Sequence, residues 1–144
     1  MKHLQTQINI QAPADKVWKV LTDFASYPSW NPLIISISGE KRTGAQLEVN
    51  ISPPEAKPMK FNPRILVFNE GHELRWKGQL AIPGLFDGEH YFLLEGNGDG
   101  TAVTHGEKFS GLLVGLFGGM LKKTEQGFND MNAALKKVCE EAVS

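Results

Sequence analysis

His90, His105 and Glu107 are the residues whose types and spacing could do chemistry. They fall in two alternating runs, His90-Tyr91-Phe92-Leu93-Leu94 and Val103-Thr104-His105-Gly106-Glu107-Lys108-Phe109. Within those runs they share parity with Phe92, Leu94, Val103 and Phe109. Residues of one parity line one face of a strand, so two imidazoles and a carboxylate are expected on an apolar, inward face. Ionisable groups are uncommon there unless they are paired or face a wet cavity. A His–Glu pair in a pocket could move protons, with Glu107 setting the histidine tautomer, or could hold the polar end of a ligand. The plainer alternative is an ion pair satisfied within the core.

Other chemistries find little footing. Two histidines and a carboxylate bring zinc to mind, but no Cys lies near them and the histidines lack close ligand spacing, so no metal is expected. Ser110 beside Gly111 is not a nucleophile elbow, because no Gly-x-Ser-x-Gly is present. Cys139 is followed by Glu140 and Glu141, acidic neighbours that raise a thiol pKa, and reads as a bystander. No phosphate-binding glycine loop, EF-hand or zinc-finger spacing occurs, and no cofactor is expected.

The elements that must position the three residues follow from periodicity. Asn97-Gly98-Asp99-Gly100 is a tight-hairpin signal. With Gly98-Asp99 as its two-residue loop, Leu94 opposes Val103, Phe92 opposes His105 and His90 opposes Glu107. A slip of one residue would turn that strand's ionisable groups outward. Leu4, Thr6, Ile8 and Ile10 alternate with polar residues and predict a half-buried first strand. Pro13 opens a short helix carrying Val17, Trp18 and Leu21, and the segment from Tyr27 to Pro32 allows one further turn. Further strands are expected at Ile34–Gly39, Gln46–Ile51, Met59–Phe68, Glu73–Leu80, Glu89–Leu94 and Ala102–Phe109. From Leu112 the period becomes helical, with Phe117, Leu121, Thr124, Phe128, Met131, Leu135 and Val138 on one stripe. Short connections favour an antiparallel α+β sheet with the helices on one face, leaving a space between the long helix and the sheet.

The chain of 144 residues is expected to form one domain over its whole length, burying roughly 70% of the surface its unfolded form exposes. Its 41% hydrophobic and 22% charged residues exclude disorder, collagen-like repeats and coiled coil. Fifteen Lys plus Arg against sixteen Asp plus Glu give a net charge of -1, so no basic field exists for nucleic acid or a membrane surface. The longest apolar stretch, Gly111 to Leu121, is about half of the roughly 20 residues a bilayer crossing needs. The opening Met1-Lys2-His3-Leu4-Gln5 lacks a signal-peptide core, and one cysteine cannot form an intrachain disulfide. A cytoplasmic protein, without nucleic-acid partners or stable membrane insertion, is the expectation.

The opening Ile10-Gln11-Ala12-Pro13-Ala14-Asp15-Lys16-Val17-Trp18 and the segment Tyr27-Pro28-Ser29-Trp30-Asn31-Pro32 resemble the START-like, or SRPBCC, superfamily. So do Leu85-Phe86-Asp87-Gly88-Glu89-His90, Gly100-Thr101 and the run from His105 to Gly111. This group includes polyketide cyclase/dehydratase and lipid-transport proteins and the birch-pollen-allergen fold, and the resemblance covers essentially the whole chain. It implies a helix-grip fold: a seven-stranded curved antiparallel sheet wrapped around the C-terminal helix, with a short helix pair after the first strand. The fold hosts both carriers and enzymes, so function must come from the site.

These readings converge on a small hydrophobic or amphipathic ligand (a lipid, polyketide or aromatic-like molecule) held between sheet and C-terminal helix. The expected apolar lining is Trp76, Phe92, Phe109, Phe117, Leu121, Phe128 and Met131, with His90, His105 and Glu107 at the polar end. Trp76 would stack on the ligand or serve as plain core. Trp30, between two prolines, would sit at a pocket rim or cap the core. Ile82–Phe86 and the glycine-rich Gly111–Met120 would form a mobile lid or pack closely on the sheet. Their exposed apolar residues would otherwise mark a homodimer face or a route for lipid. Two alternatives stand beside the carrier: a polyketide cyclase/dehydratase-type enzyme using His/Glu acid–base chemistry, and an interaction module whose cavity is filled by side chains.

Overall fold

The computed structural model describes residues 2–55, 57–79, 87–111 and 118–141, with the side chains of 118–120 excepted. Along the chain run β1 (Lys2–Ile10), α1 (Ala14–Thr22), a 3-10 turn (Phe24–Ser26), α2 (Tyr27–Trp30) and β2 (Ile34–Ser38). Then come β3 (Glu48–Ile51), β4 (Met59–Phe61), β5 (Arg64–Asn69), β6 (Glu73–Gln79), β7 (Asp87–Asn97), β8 (Gly100–Ser110) and α3 (Gly118–Glu141).

Among the described residues the strands form two antiparallel sheets, five-stranded β1-β8-β7-β6-β5 and three-stranded β2-β3-β4. This α+β arrangement, a large antiparallel sheet with a long C-terminal helix, fits the helix-grip expectation. The strand count does not. The run Met59–Phe68, expected as one strand, breaks at Asn62-Pro63 into β4 and β5, which belong to different sheets. Proline has no N–H for a ladder and tolerates only edges and breaks. Its carbonyl still bonds: Leu47 N–H donates to Pro63 O at 2.7 Å and Ile65 N–H to Ala45 O at 2.8 Å, with a bridge from Gln46 to Arg64. The two sheets are joined there.

The β7–β8 hairpin has the expected register: Leu94 opposes Val103, Phe92 opposes His105 and His90 opposes Glu107. On the outer face of this hairpin Tyr91 lies over Gly106, where an added Cβ would meet the Tyr91 oxygen at 2.4 Å. The Arg75 guanidinium covers that ring from 4.6 Å and pairs with Glu73 and Glu89, which leaves Tyr91 buried on this outer face.

Trp18 anchors α1 to the sheet through an edge-on contact with Phe68, centroids 5.3 Å apart. Asn31 ends α2, and its side-chain oxygen accepts from the N–H groups of Leu33 and Ile34 at 3.0 and 2.8 Å, which aims the chain into β2. Trp30 packs edge-on against Tyr27 as a cap on the core. On α3 the buried residues are Gly127, Phe128, Met131, Asn132, Leu135 and Cys139, a slightly rotated stripe that leaves Val138 half-buried. Burial pushes the Cys139 thiol up to about 11, with Lys16 opposing and Glu140 adding to the shift. Burial, more than the adjacent acids, is therefore what silences it.

Candidate functional site

The inward face of β6–β7–β8 carries the site. Parity brings Trp76, His90, Phe92, His105, Glu107 and Phe109 to one side of the sheet, and α3 crosses that side with Phe128 and Asn132. His105 is sandwiched between aromatic rings: Phe128 stacks on it at 4.2 Å and 7°, and Phe92 lies at 4.4 Å and 26°. Trp76 stacks on His90 at 5.0 Å and 14°.

Within this aromatic frame runs a chain of polar contacts. Glu107 Oε1 lies 3.1 Å from His90 Nδ1. His90 Nε2 lies 2.7 Å from His105 Nε2. His105 Nδ1 lies 2.8 Å from Asn132 Oδ1, the Asn132 amide donates to Thr6 Oγ1 at 2.8 Å, and the Thr6 hydroxyl donates to the His105 carbonyl at 2.8 Å. The chain thus loops back from Thr6 onto the backbone of His105. Burial first, and the neighbouring His90 second, hold the His105 imidazole well below its ordinary 6.5, while Asn132 and the Phe128 carbonyl pull upward.

Beside this chain lies a cavity of about 100 Å³, far more than the roughly 10–15 Å³ one water needs. Trp76, His90, Glu107, Phe109, Leu121 and Phe128 line it. Phe92, His105 and Met131 instead lie behind the wall, in the core, and Phe117 lies outside the described residues. So do Ile82–Phe86 and 112–117, so the lid and homodimer readings fall outside them as well.

Sequence reading missed the opposite wall, made by Val49 and Ile51 of β3, Met59 and Phe61 of β4, and Leu33. These alternate in short strands like any core, and only the fold points them at the cavity. Gly78 and Gly88 were missed too. They are directly paired on β6 and β7 and both line the cavity, so the absent side chains leave room there. A Cβ on Gly88 would sit 2.2 Å from Glu107 Oε2. Asn132 and Thr6 were each legible as polar residues at core-facing positions, since Thr6 shares parity with Ile8 and Asn132 is one helical turn from Phe128. Among the described residues no group of three or more His, Cys, Asp or Glu is placed to hold a metal, and the two histidine Nε2 atoms face each other. Nor, among those residues, is any helix long and apolar enough to cross a membrane.

A helix gripped by an antiparallel sheet, with an apolar cavity and one polar wall between them, defines a START-like, SRPBCC fold. The chain belongs to the polyketide cyclase / dehydrase and lipid transport family, whose model matches residues 1–140. No curated protein matches it. Among solved structures it is similar to the Zhui aromatase/cyclase from Streptomyces sp. R1128, at TM-score 0.80 and 16% identity, covering 99% of this chain and 96% of that one. A START superfamily protein from Mycobacterium smegmatis superimposes at TM-score 0.77 with 20% identity, covering 98% and 99%. Norcoclaurine synthase from Thalictrum flavum, solved with a transition-state analogue, does so at 0.77 with 14% identity, covering 99% and 96%. At these identities the likeness is one of fold.

Proposed function

We propose that the protein binds a small, mostly apolar molecule in the cavity between its sheet and α3, with the polar end of that molecule at Glu107. The observation that carries this reading is the apolar cavity of about 100 Å³ with a carboxyl group in its wall. A side-chain-filled interaction module would have packed that space, because protein interiors leave few voids larger than a water. Transfer of apolar ligand surface into such a lining is favourable by roughly 25 cal/mol per Å², before association costs. The family's description, polyketide cyclase / dehydrase and lipid transport, supports a small-molecule role for such a cavity.

Native mass spectrometry of freshly purified protein, beside a denatured sample, tests the reading. A discrete extra mass that disappears on denaturation identifies the ligand class. A clean apo mass, together with no uptake of apolar probes such as 1-anilinonaphthalene-8-sulfonate, counts against it.

The unbroken contact chain from Glu107 through His90 to His105 favours one second reading: an enzyme of the cyclase/dehydratase type in which Glu107 and His90 exchange a proton with the substrate. His90→Ala separates the two. An enzyme loses turnover while keeping ligand affinity, and a carrier changes in affinity only.

A further inference from the structure

The directions of the buried hydrogen bonds count the protons at the site. A carbonyl cannot donate, so the contact between Thr6 Oγ1 and the His105 carbonyl uses the Thr6 hydroxyl proton. Thr6 Oγ1 then accepts from the Asn132 amide nitrogen, which turns Asn132 Oδ1 toward His105 Nδ1. That nitrogen must therefore carry a hydrogen. Sealed among aromatic rings, the His105 ring is neutral, so its Nε2 is a bare acceptor and His90 Nε2, 2.7 Å away, must donate. His90 Nδ1 is now left opposite Glu107 Oε1 at 3.1 Å. A carboxylate facing a bare lone pair would repel it, so one more proton belongs between them.

The flipped amide gives the alternative. Thr6 would then have to donate to Asn132 and abandon the His105 carbonyl. His105 would carry its hydrogen on Nε2 and His90 on Nδ1, and Glu107 would be an anion that accepts the His90 Nδ1–H with no cation beside it on an apolar wall. Burying an ionised carboxylate there without a cation is the costlier state.

We infer that Glu107, His90 and His105 together hold three protons rather than two, one of them shared between Glu107 Oε1 and His90 Nδ1, so that the cavity shows its ligand an electroneutral acceptor and takes an apolar molecule ending in a neutral hydroxyl. Whichever atom holds the shared proton, it lies on the Oε1 side. Glu107 Oε2, over Gly88 in the cavity wall, is an acceptor in both cases. The other groups packed on the triad are Trp76, Phe92, Phe128, Asn132 and Thr6. Among the described lining residues there is no Lys or Arg to receive a carboxylate ligand. A phenol, enol or alcohol satisfies Oε2, whereas an anionic head group meets an acceptor with no donor.

The ligand preference rests on the proposed cavity binding, whereas the proton count does not, and the tests separate them. Long-range ring 15N–1H NMR correlations of 15N-histidine-labelled, ligand-free protein should show His105 protonated at Nδ1 alone and His90 at Nε2 with a shared proton at Nδ1. His105 protonated at Nε2 and His90 at Nδ1 alone would overturn the count. Calorimetry with 2-naphthol and 2-naphthoate reads the preference, and naphthol should bind tighter by about tenfold or more. Equal affinities, or a preference for naphthoate, would overturn the selectivity. If neither probe binds while the NMR pattern holds, the cavity-binding reading fails and takes the ligand preference with it, though not the proton count. In Glu107→Gln the amide donates to His90 Nδ1 and its carbonyl faces the cavity, so naphthoate should stay excluded. A rise in naphthoate affinity in that variant would reveal a bare charge in the wild type and overturn the proposal.

Discussion

The Nε2 atoms of His90 and His105 lie 2.7 Å apart, each ring almost wholly buried, with a single proton between two nitrogens. Such a contact survives in a core only if everything around it agrees on which ring donates. Here the agreement is enforced from both ends, by Glu107 at the cavity and by Asn132 and Thr6 beneath α3.

Breaking the chain in its middle should therefore be costly. His105→Leu leaves His90 Nε2–H and the Asn132 amide without their partners and is expected to destabilise the fold by about 2–4 kcal/mol. Urea denaturation measures this. The paired variant His105→Leu/Asn132→Leu should lose less than the sum of the single losses, because each single change orphans the group that the other removes. Additive losses would mean the two side chains do not act as a unit.

The same histidine predicts acid sensitivity. His105 binds its second proton in the folded state only well below 6.5, whereas the unfolded chain binds it near 6.5. Between those values the unfolded state holds more protons, so stability falls as pH drops below about 6.5, by up to about 1.4 kcal/mol per pH unit. Above 6.5 the group contributes no slope. Denaturation curves from pH 7.5 downward should show this decline in the wild type and a shallower one in His105→Leu.

Gly88 leaves the room that the Glu107 carboxyl uses, since a Cβ there would sit 2.2 Å from Oε2. Gly88→Ala should swing that carboxyl off its place and weaken 2-naphthol binding by about tenfold or more while the protein still folds cooperatively. Unchanged affinity in a folded variant would remove Glu107 Oε2 from the binding site.

On the outer face, Gly106→Ala forces a methyl against Tyr91 and, from the other side, to 2.6 Å from the Leu4 carbonyl of β1. Side chain and strand must both give way, and overpacking of this kind costs about 1–3 kcal/mol. A melting-temperature comparison decides it. Tyr91→Ala should not restore the loss, because the backbone clash remains.

Cys139 should be inert in the native protein. Fully buried, with its thiol pushed up to about 11, it presents almost no thiolate at pH 8. Ellman's reagent should titrate it only after unfolding, and rapid native reaction would contradict its burial.

Much of this was legible in the residues. The Asn97-Gly98-Asp99-Gly100 turn sets the β7–β8 register, because a two-residue loop of this kind allows one pairing. That register, with period-two alternation, already places His90 opposite Glu107 and both inward. The helical period likewise predicts that Phe128, Met131 and Leu135 face the sheet. What the residues did not reveal depends on contacts between distant elements. Pro63 ends a run that otherwise alternates cleanly, and only the competing partners across β3 and β6 send its two halves to different sheets. Asn132 and Thr6 lie 126 positions apart and meet because α3 crosses β1. Their meeting decides which nitrogen of His105 carries the proton. Local pattern determines which way a side chain points; which group it then faces, and so its protonation, is decided by packing alone.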